Sequence, residues 1–244
     1  LDLKNKTVLI TGGAVRIGRA ISLELGKAGA TIFCQYFSST ESARSLKGQI
    51  EKNGGRIHIF KSDLSNQDGI KKTVDEVIRV YGRVDVLVNN AAIFFKTPLG
   101  KVTEEDWDIL HNLNLKTPFF LAQAVSHYML NQKSGKIINI ADTGAETPFP
   151  AYLPYSISKA GIINMTKGLA KALAPNIQVN CINPGPVMFP ENYSKEERKF
   201  SIEQTLLKRE GSAEDIAKTV RFLLEGSDYI TGAVIPVDGG RHIR

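Results

Sequence analysis

Along this chain, short runs rich in Val and Ile take turns with longer stretches whose apolar residues recur three and four positions apart. Lys6 to Ile10 (K-T-V-L-I), Ala30 to Tyr36, Arg56 to Lys61, Asp85 to Val88, Lys136 to Ala141, Ile177 to Ile182 and Ala233 to Val237 have strand length and β-branched content. Helical patterns lie between them at Arg19 to Lys27, Thr40 to Lys52, up to Tyr81, from about Thr103, from about Lys116 to Asn131, around Tyr155, and from Ser212 onward. Ser65-Asn66-Gln67-Asp68 and Gly82 are start and stop signals, and Glu104-Glu105-Asp106 suits the positive end of a helix. Repeated βα units predict an α/β fold, a doubly wound parallel sheet of about seven strands with helices on both faces. No linker or shift in composition breaks the pattern, so residues 1–244 are expected to form one domain.

One segment departs from it. From Pro184 to about Gly211 the chain is polar, with Pro186 and Pro190 ahead of N-Y-S-K-E-E-R-K-F-S-I-E. Loops of this length often serve as lids or binding segments.

The first chemical signal is Thr11-Gly12-Gly13-Ala14-Val15-Arg16-Ile17-Gly18, between the first strand and the first helix. Glycines there let backbone approach a pyrophosphate, and the helix N-terminus favours its charge. This makes the sheet Rossmann-like. The second signal is Tyr155 and Lys159, four apart on one helical face, an arrangement that sets an ammonium beside a phenol. A nearby positive charge favours the phenolate, so the Tyr pKa is expected below its usual value of roughly 10.

Composition adds limits. Charged residues are 23% and hydrophobic residues 42% of the 244, ordinary for a globular chain. The net charge of +6 comes from dispersed Lys and Arg without a cluster, which points to an anionic small molecule and away from nucleic acid. Cys34 and Cys181 sit in separate strand-like runs and are expected as buried free thiols. The four histidines have no ligand spacing, so no metal is expected. No apolar run reaches membrane-spanning length and the opening L-D-L-K-N-K-T is no signal peptide, so a cytoplasmic protein is expected.

T-G-x-x-x-x-x-G, Asn89-Asn90-Ala91, Tyr155-x-x-x-Lys159, Asn183-Pro184-Gly185 and the ending Tyr229-Ile230-Thr231-Gly232 through Val237-Asp238-Gly239-Gly240 resemble the short-chain dehydrogenase/reductase family, in order and nearly end to end. Two positions depart from its pattern. Arg16 replaces a glycine, and Asp142 stands thirteen residues before Tyr155, where the family usually has a serine. Both departures, with Asn90-Ala91-Ala92-Ile93-Phe94-Phe95-x-Thr97-Pro98-Leu99 and Gly185-Pro186, resemble the pteridine reductase subgroup.

The resemblance implies roles. Tyr155 is the proton donor, Lys159 holds the nicotinamide ribose, and Asn114 kinks a helix and anchors a water relay. Thr11, Gly12, Arg16, Ile17, Gly18, Asp63, Leu64, Asn90, Ala91, Pro184 and Gly185 contact cofactor, and the backbone of Asn89 borders it. Tyr36, Ser38 and Ser39 end the second strand without a carboxylate, which permits NADPH and leaves NADH not excluded. Arg16, Phe94, Asp142, Tyr155 and Pro186 meet the substrate, with Phe94 and the nicotinamide sandwiching a flat pterin, and the segment from Pro184 to about Gly211 covers the substrate. An ionised Asp142 cannot donate to a ketone oxygen, while a protonated one helps deliver a proton to a ring nitrogen. Three readings follow: an NADPH-dependent reductase of pterin or dihydropterin/folate-like substrates, a carbonyl reductase such as one acting on 3-oxoacyl thioesters, and a catalytically silent NADP-binding sensor or assembly protein. The resemblance also implies a homotetramer, with Arg241 to Arg244 reaching a neighbouring copy.

Overall fold

The apolar runs become seven parallel strands: β1 Thr7–Ile10, β2 Thr31–Tyr36, β3 Arg56–Lys61, β4 Val86–Asn89, β5 Gly135–Ile140, β6 Ile177–Pro184 and β7 Val234–Val237. The computed structural model describes residues 1–189 and 193–243. Pro190, in the polar segment, and Arg244 lie outside the described residues. The strand order is β3-β2-β1-β4-β5-β6-β7. Chain order therefore runs outward from β1 in one direction and from β4 in the other. A crevice opens between the C-terminal ends of β1 and β4, where such sheets bind ligands.

Strand alternation builds two cores. Val8, Ile10, Ile32, Cys34, Val86 and Val88 face one way and pack with Ile21 and Leu25 of α1 (Arg16–Lys27), Leu46 of α2 (Thr40–Lys52) and Val220 of α8 (Ala213–Glu225). Leu9, Phe33, Leu87, Ile137 and Val179 face the other way, against α3 (Gln67–Tyr81), α5 (Thr117–Asn131) and the end of α6 (Leu153–Leu173). Each fully buried aliphatic side chain contributes about 1.5–3 kcal/mol. Pro236 sits in β7, where an edge strand tolerates a missing donor.

The caps follow the sequence. Asn66 accepts from the Gly69 amide at 2.9 Å, Gly82 closes α3 at φ 69°, and Ser212 with Asp215 forms a capping box. Thr103 and Asp106 do the same for α4 (Glu104–His111). The helices expected near Thr103 and Lys116 are one bent rod, because α4 continues through a π turn at Asn112–Lys116 into α5. Pro118 has no N–H to return to the preceding turn, and the chain widens there. The polar segment holds a formed helix, α7 (Lys195–Glu203), started by a Ser194–Glu197 capping box. Among the described residues no helix is long and apolar enough to cross a membrane.

Candidate active site

A cavity of about 490 Å³ occupies the crevice at the C-terminal strand ends. Its floor is backbone at very close range. A Cβ on Gly18 would lie 2.1 Å from the Gly12 carbonyl oxygen, and one on Gly12, at φ 60°, would lie 3.1 Å from Ala91 Cα. Asn90 pins the turn by donating its amide to the carbonyls of Thr11 (2.9 Å) and Gly12 (3.1 Å). The first turn of α1 has neither an acidic residue nor a side-chain cap, so its N–H groups are left to an anion.

Most residues assigned to the cofactor from sequence line this cavity: Gly12, Arg16, Ile17, Gly18, Ser38, Asp63, Leu64, Asn90, Ala91, Lys159, Pro184 and Gly185. Three do not. Thr11 is buried and braces the frame, its hydroxyl accepting from the amides of Asn90 and Ala91, both at 3.0 Å. Tyr36 follows Ile32 and Cys34 onto the α1/α2 side of the sheet and is core. Ser39 precedes α2 and lies outside the lining. Alternation puts Gln35 and Phe37 at the cavity instead. Gln35 is a structural link, its Oε1 accepting from the Gly12 amide at 3.1 Å and its Nε2 donating to Ser62 at 2.7 Å. Asp63 both lines the cavity and makes a turn, accepting from the Ser65 amide at 2.9 Å. Asn89 lies below the lining, donating to Asn139 Oδ1 at 2.8 Å.

The other end of the cavity gathers titratable side chains. Asp142 leaves β5 and caps a single 3-10 turn, Oδ1 accepting from the Gly144 amide at 2.6 Å. Its Oδ2 accepts from Tyr155 Oη at 3.1 Å. Burial pushes the Asp142 carboxyl above its ordinary value, opposed by the Gly144 amide, Lys159 and Tyr155. Lys159 is buried, donates to the Ile140 carbonyl at 2.9 Å, and lies 5.7 Å from the Tyr155 ring centre. Burial lowers its pKa. The Tyr155 phenol is shifted well upward, by burial first and by Asp142 next. The expected depression by Lys159 is therefore reversed: the carboxylate touches the phenol, whereas the ammonium is held on backbone.

Phe94 lines the cavity with one face backed by Tyr152, ring centres 4.3 Å apart and 8° from parallel, and meets Tyr155 edge-on at 4.7 Å. Arg16 has a positive φ of 51° in the place the family pattern gives to glycine, and its guanidinium donates to the Met188 carbonyl. That contact ties the glycine turn to the segment after β6. Pro186 lines the same wall.

Asn114 is buried in the π turn and does not reach the cavity. Its Oδ1 accepts from the Ile93 amide at 2.8 Å, and its Nδ2 donates to the Ile93 carbonyl at 3.0 Å and to Ser158 Oγ at 3.3 Å. It is a positioning residue that clamps the segment carrying Phe94 to α6.

Sequence reasoning missed the wall formed by Thr143, Phe149, Tyr193, Ser201 and Arg241. Arg241 belongs to a C-terminal 3-10 turn (Arg241–Ile243) and lines its own chain's cavity. No local motif marks these residues, which long-range packing brings together. Cys34 and Cys181 are buried thiols, each pushed up to about 12 by burial. Among the described residues no cluster of three His, Cys, Asp or Glu is placed to hold a metal.

The family model described as enoyl-(acyl carrier protein) reductase matches residues 13–242. A 3-oxoacyl-[acyl-carrier-protein] reductase of Thermotoga maritima is 39% identical over 98% of this chain and 99% of its own. The structure of an alternative dihydrofolate reductase 1 from Brucella canis, complexed with NADP, superposes with a TM-score of 0.93 at 31% identity, covering 100% of this chain and 96% of that one. A metagenomic blue fluorescent protein in complex with NADPH gives a TM-score of 0.90 at 34% identity, covering 99% of each chain.

Proposed function

The chain belongs to the short-chain dehydrogenase/reductase family, and from that premise we propose an NADPH-dependent reductase of a pterin or dihydrofolate-like ring. The Asp142–Tyr155 hydrogen bond, in the place where the family pattern has a serine hydroxyl, carries the substrate class.

The residues present fit the cofactor. Gly12 and Gly18 leave a surface that a Cβ would fill, and the first turn of α1 offers free N–H groups. Phe37 and Ser38, not a carboxylate, line the cavity after β2, so the end of that strand sets no acid against a 2′-phosphate. When bound, NADPH supplies the hydride.

The protein's own residues supply the proton and the orientation. The hydrogen bond as it stands runs from Tyr155 Oη to Asp142 Oδ2; a protonated Asp142, with Oδ1 accepting from the Gly144 amide, would carry its proton on Oδ2 and reverse that bond. Burial favours that neutral acid. It donates through Tyr155 to a ring nitrogen, whereas an ionised Asp142 has no hydrogen bond to offer a ketone oxygen. Phe94, backed by Tyr152, gives a flat ring a face to lie on, and Arg16 offers a planar cationic fork. Lys159, dry and close to Tyr155, orients the ribose and holds positive charge near the Asp142–Tyr155 pair as its proton leaves.

The second reading, reduction of a 3-oxoacyl thioester, has the better support from the sequence relatives, the Thermotoga maritima protein being named for it. The test is NADPH oxidation with 7,8-dihydrobiopterin, dihydrofolate and an acetoacetyl thioester side by side. We expect turnover of the pterins, cut roughly 10²–10⁴-fold in Tyr155→Phe. Asp142→Ser should impair pterin turnover and spare or improve that of the thioester. Turnover of the thioester alone overturns the pterin reading, and turnover of none supports a silent NADP-binding protein.

A further inference from the structure

Arg241 is a partly buried cation without an ion-pair partner among the described residues. One guanidinium nitrogen donates to Ser201 Oγ at 2.9 Å, and the guanidinium carbon lies 5.2 Å from the Phe149 ring centre. Those two contacts fix its orientation from α7 on one side and from the segment between β5 and α6 on the other. The remaining N–H donors have no protein acceptor among the described residues, and the side chain lines the same cavity as Asp142 and Tyr155. Burial lowers its pKa, with Asp142, Tyr193 and Asp238 acting on it only through space. A half-buried guanidinium with unused donors at the cavity wall offers an anion a partly dehydrated partner. The planar fork suits a carboxylate or phosphate oxygen pair.

We propose that Arg241 is a specificity-determining residue that receives an anionic group carried by the substrate outside its reacting centre. The inference rests on the cavity being the reductase site, and not on which substrate class fills it. The glutamate carboxylates of a folate-type substrate and the phosphates of a coenzyme-A thioester share the required chemistry. Matched pairs separate the sources: folate against biopterin, and acetoacetyl-coenzyme A against acetoacetyl-N-acetylcysteamine.

Each compound is titrated by calorimetry into the NADP⁺-loaded protein. We expect the wild type to prefer the anionic member of at least one pair by about 10- to 100-fold, the range for a charged hydrogen-bonded contact. Arg241→Met should erase the preference by weakening that member alone. Arg241→Lys should keep part of it, and Ser201→Ala, which frees the guanidinium, should reduce it less than Arg241→Met. A preference confined to the thioester pair supports Arg241 while the pterin reading falls. No preference in the wild type for either anionic member overturns the proposal. Equal weakening of both members of a pair in Arg241→Met also overturns it, because a general structural or electrostatic role acts that way.

Discussion

Where the glycine turn meets α1, the cavity is bounded by main chain, and Gly18 comes within 2.1 Å of a carbonyl oxygen once a Cβ is added. Around Asp142 it is bounded by side chains whose pKa values are moved by burial: Asp142 and Tyr155 upward, Lys159 downward. The first region is sensitive to volume, and its Arg16 guanidinium is tied to the Met188 carbonyl. The second depends on charge and accepts replacements of equal shape. A reductase needs both, since close approach holds a large anion and perturbed acidity moves a proton.

The sharpest way to break the contrast is at Gly18. Gly18→Ala forces the turn open against backbone, which costs about 3 kcal/mol, so Tm should fall by roughly 10 °C with NADPH affinity down more than tenfold. A near wild-type Tm and affinity would mean that the turn relaxes freely and that volume is not its limit.

Asp142→Asn tests the other region, keeping shape while removing the acid. The Asp142 pKa is raised in the folded protein, so its neutral form, and the stability tied to it, is fully present below the unfolded carboxylate pKa. Both are lost as pH rises through the folded value. Wild-type kcat/KM with a pterin should therefore fall with rising pH across a pKa above the ordinary carboxylate range. In Asp142→Asn that limb should vanish, with activity at its acidic end reduced by roughly 10²-fold and Tm nearly unchanged. A limb that survives the substitution belongs to another group.

Arg16→Gly should have the smallest effect. It relieves a positive φ of 51° that costs a side chain about 1 kcal/mol, yet removes the guanidinium contact to Met188. Tm should change by only about 2–4 °C, while pterin affinity weakens. Stability unchanged with affinity intact would strip Arg16 of its role in the cavity.

The glycine turn was legible because its chemistry is local: Thr11 to Gly18 is contiguous, and a strand before it with a helix after it defines its geometry. Tyr155 and Lys159 were equally readable as a pair four apart. The direction of the net Tyr155 shift was not, since it depends on burial and on the contact with Asp142. Ile140 accepts from Lys159, and Asp142 accepts from Tyr155. At the end of β2 a one-residue difference in facing sends Tyr36 to the core and Phe37 to the cavity. Asn114 was correctly placed at a helix bend, but its partners, Ile93 and Ser158, lie in distant elements.

Hydrophobic periodicity with the glycine spacing determined the alternation of strands and helices, the parallel seven-stranded sheet and the position of its glycine turn, because these follow from residues near one another in the chain. Only the tertiary structure decided that Arg241, Ser201 and Phe149 share a wall with Asp142, and that burial rather than Lys159 governs the Tyr155 phenol. Cavity walls and desolvation arise from the packing of segments far apart in sequence, and no local pattern encodes either.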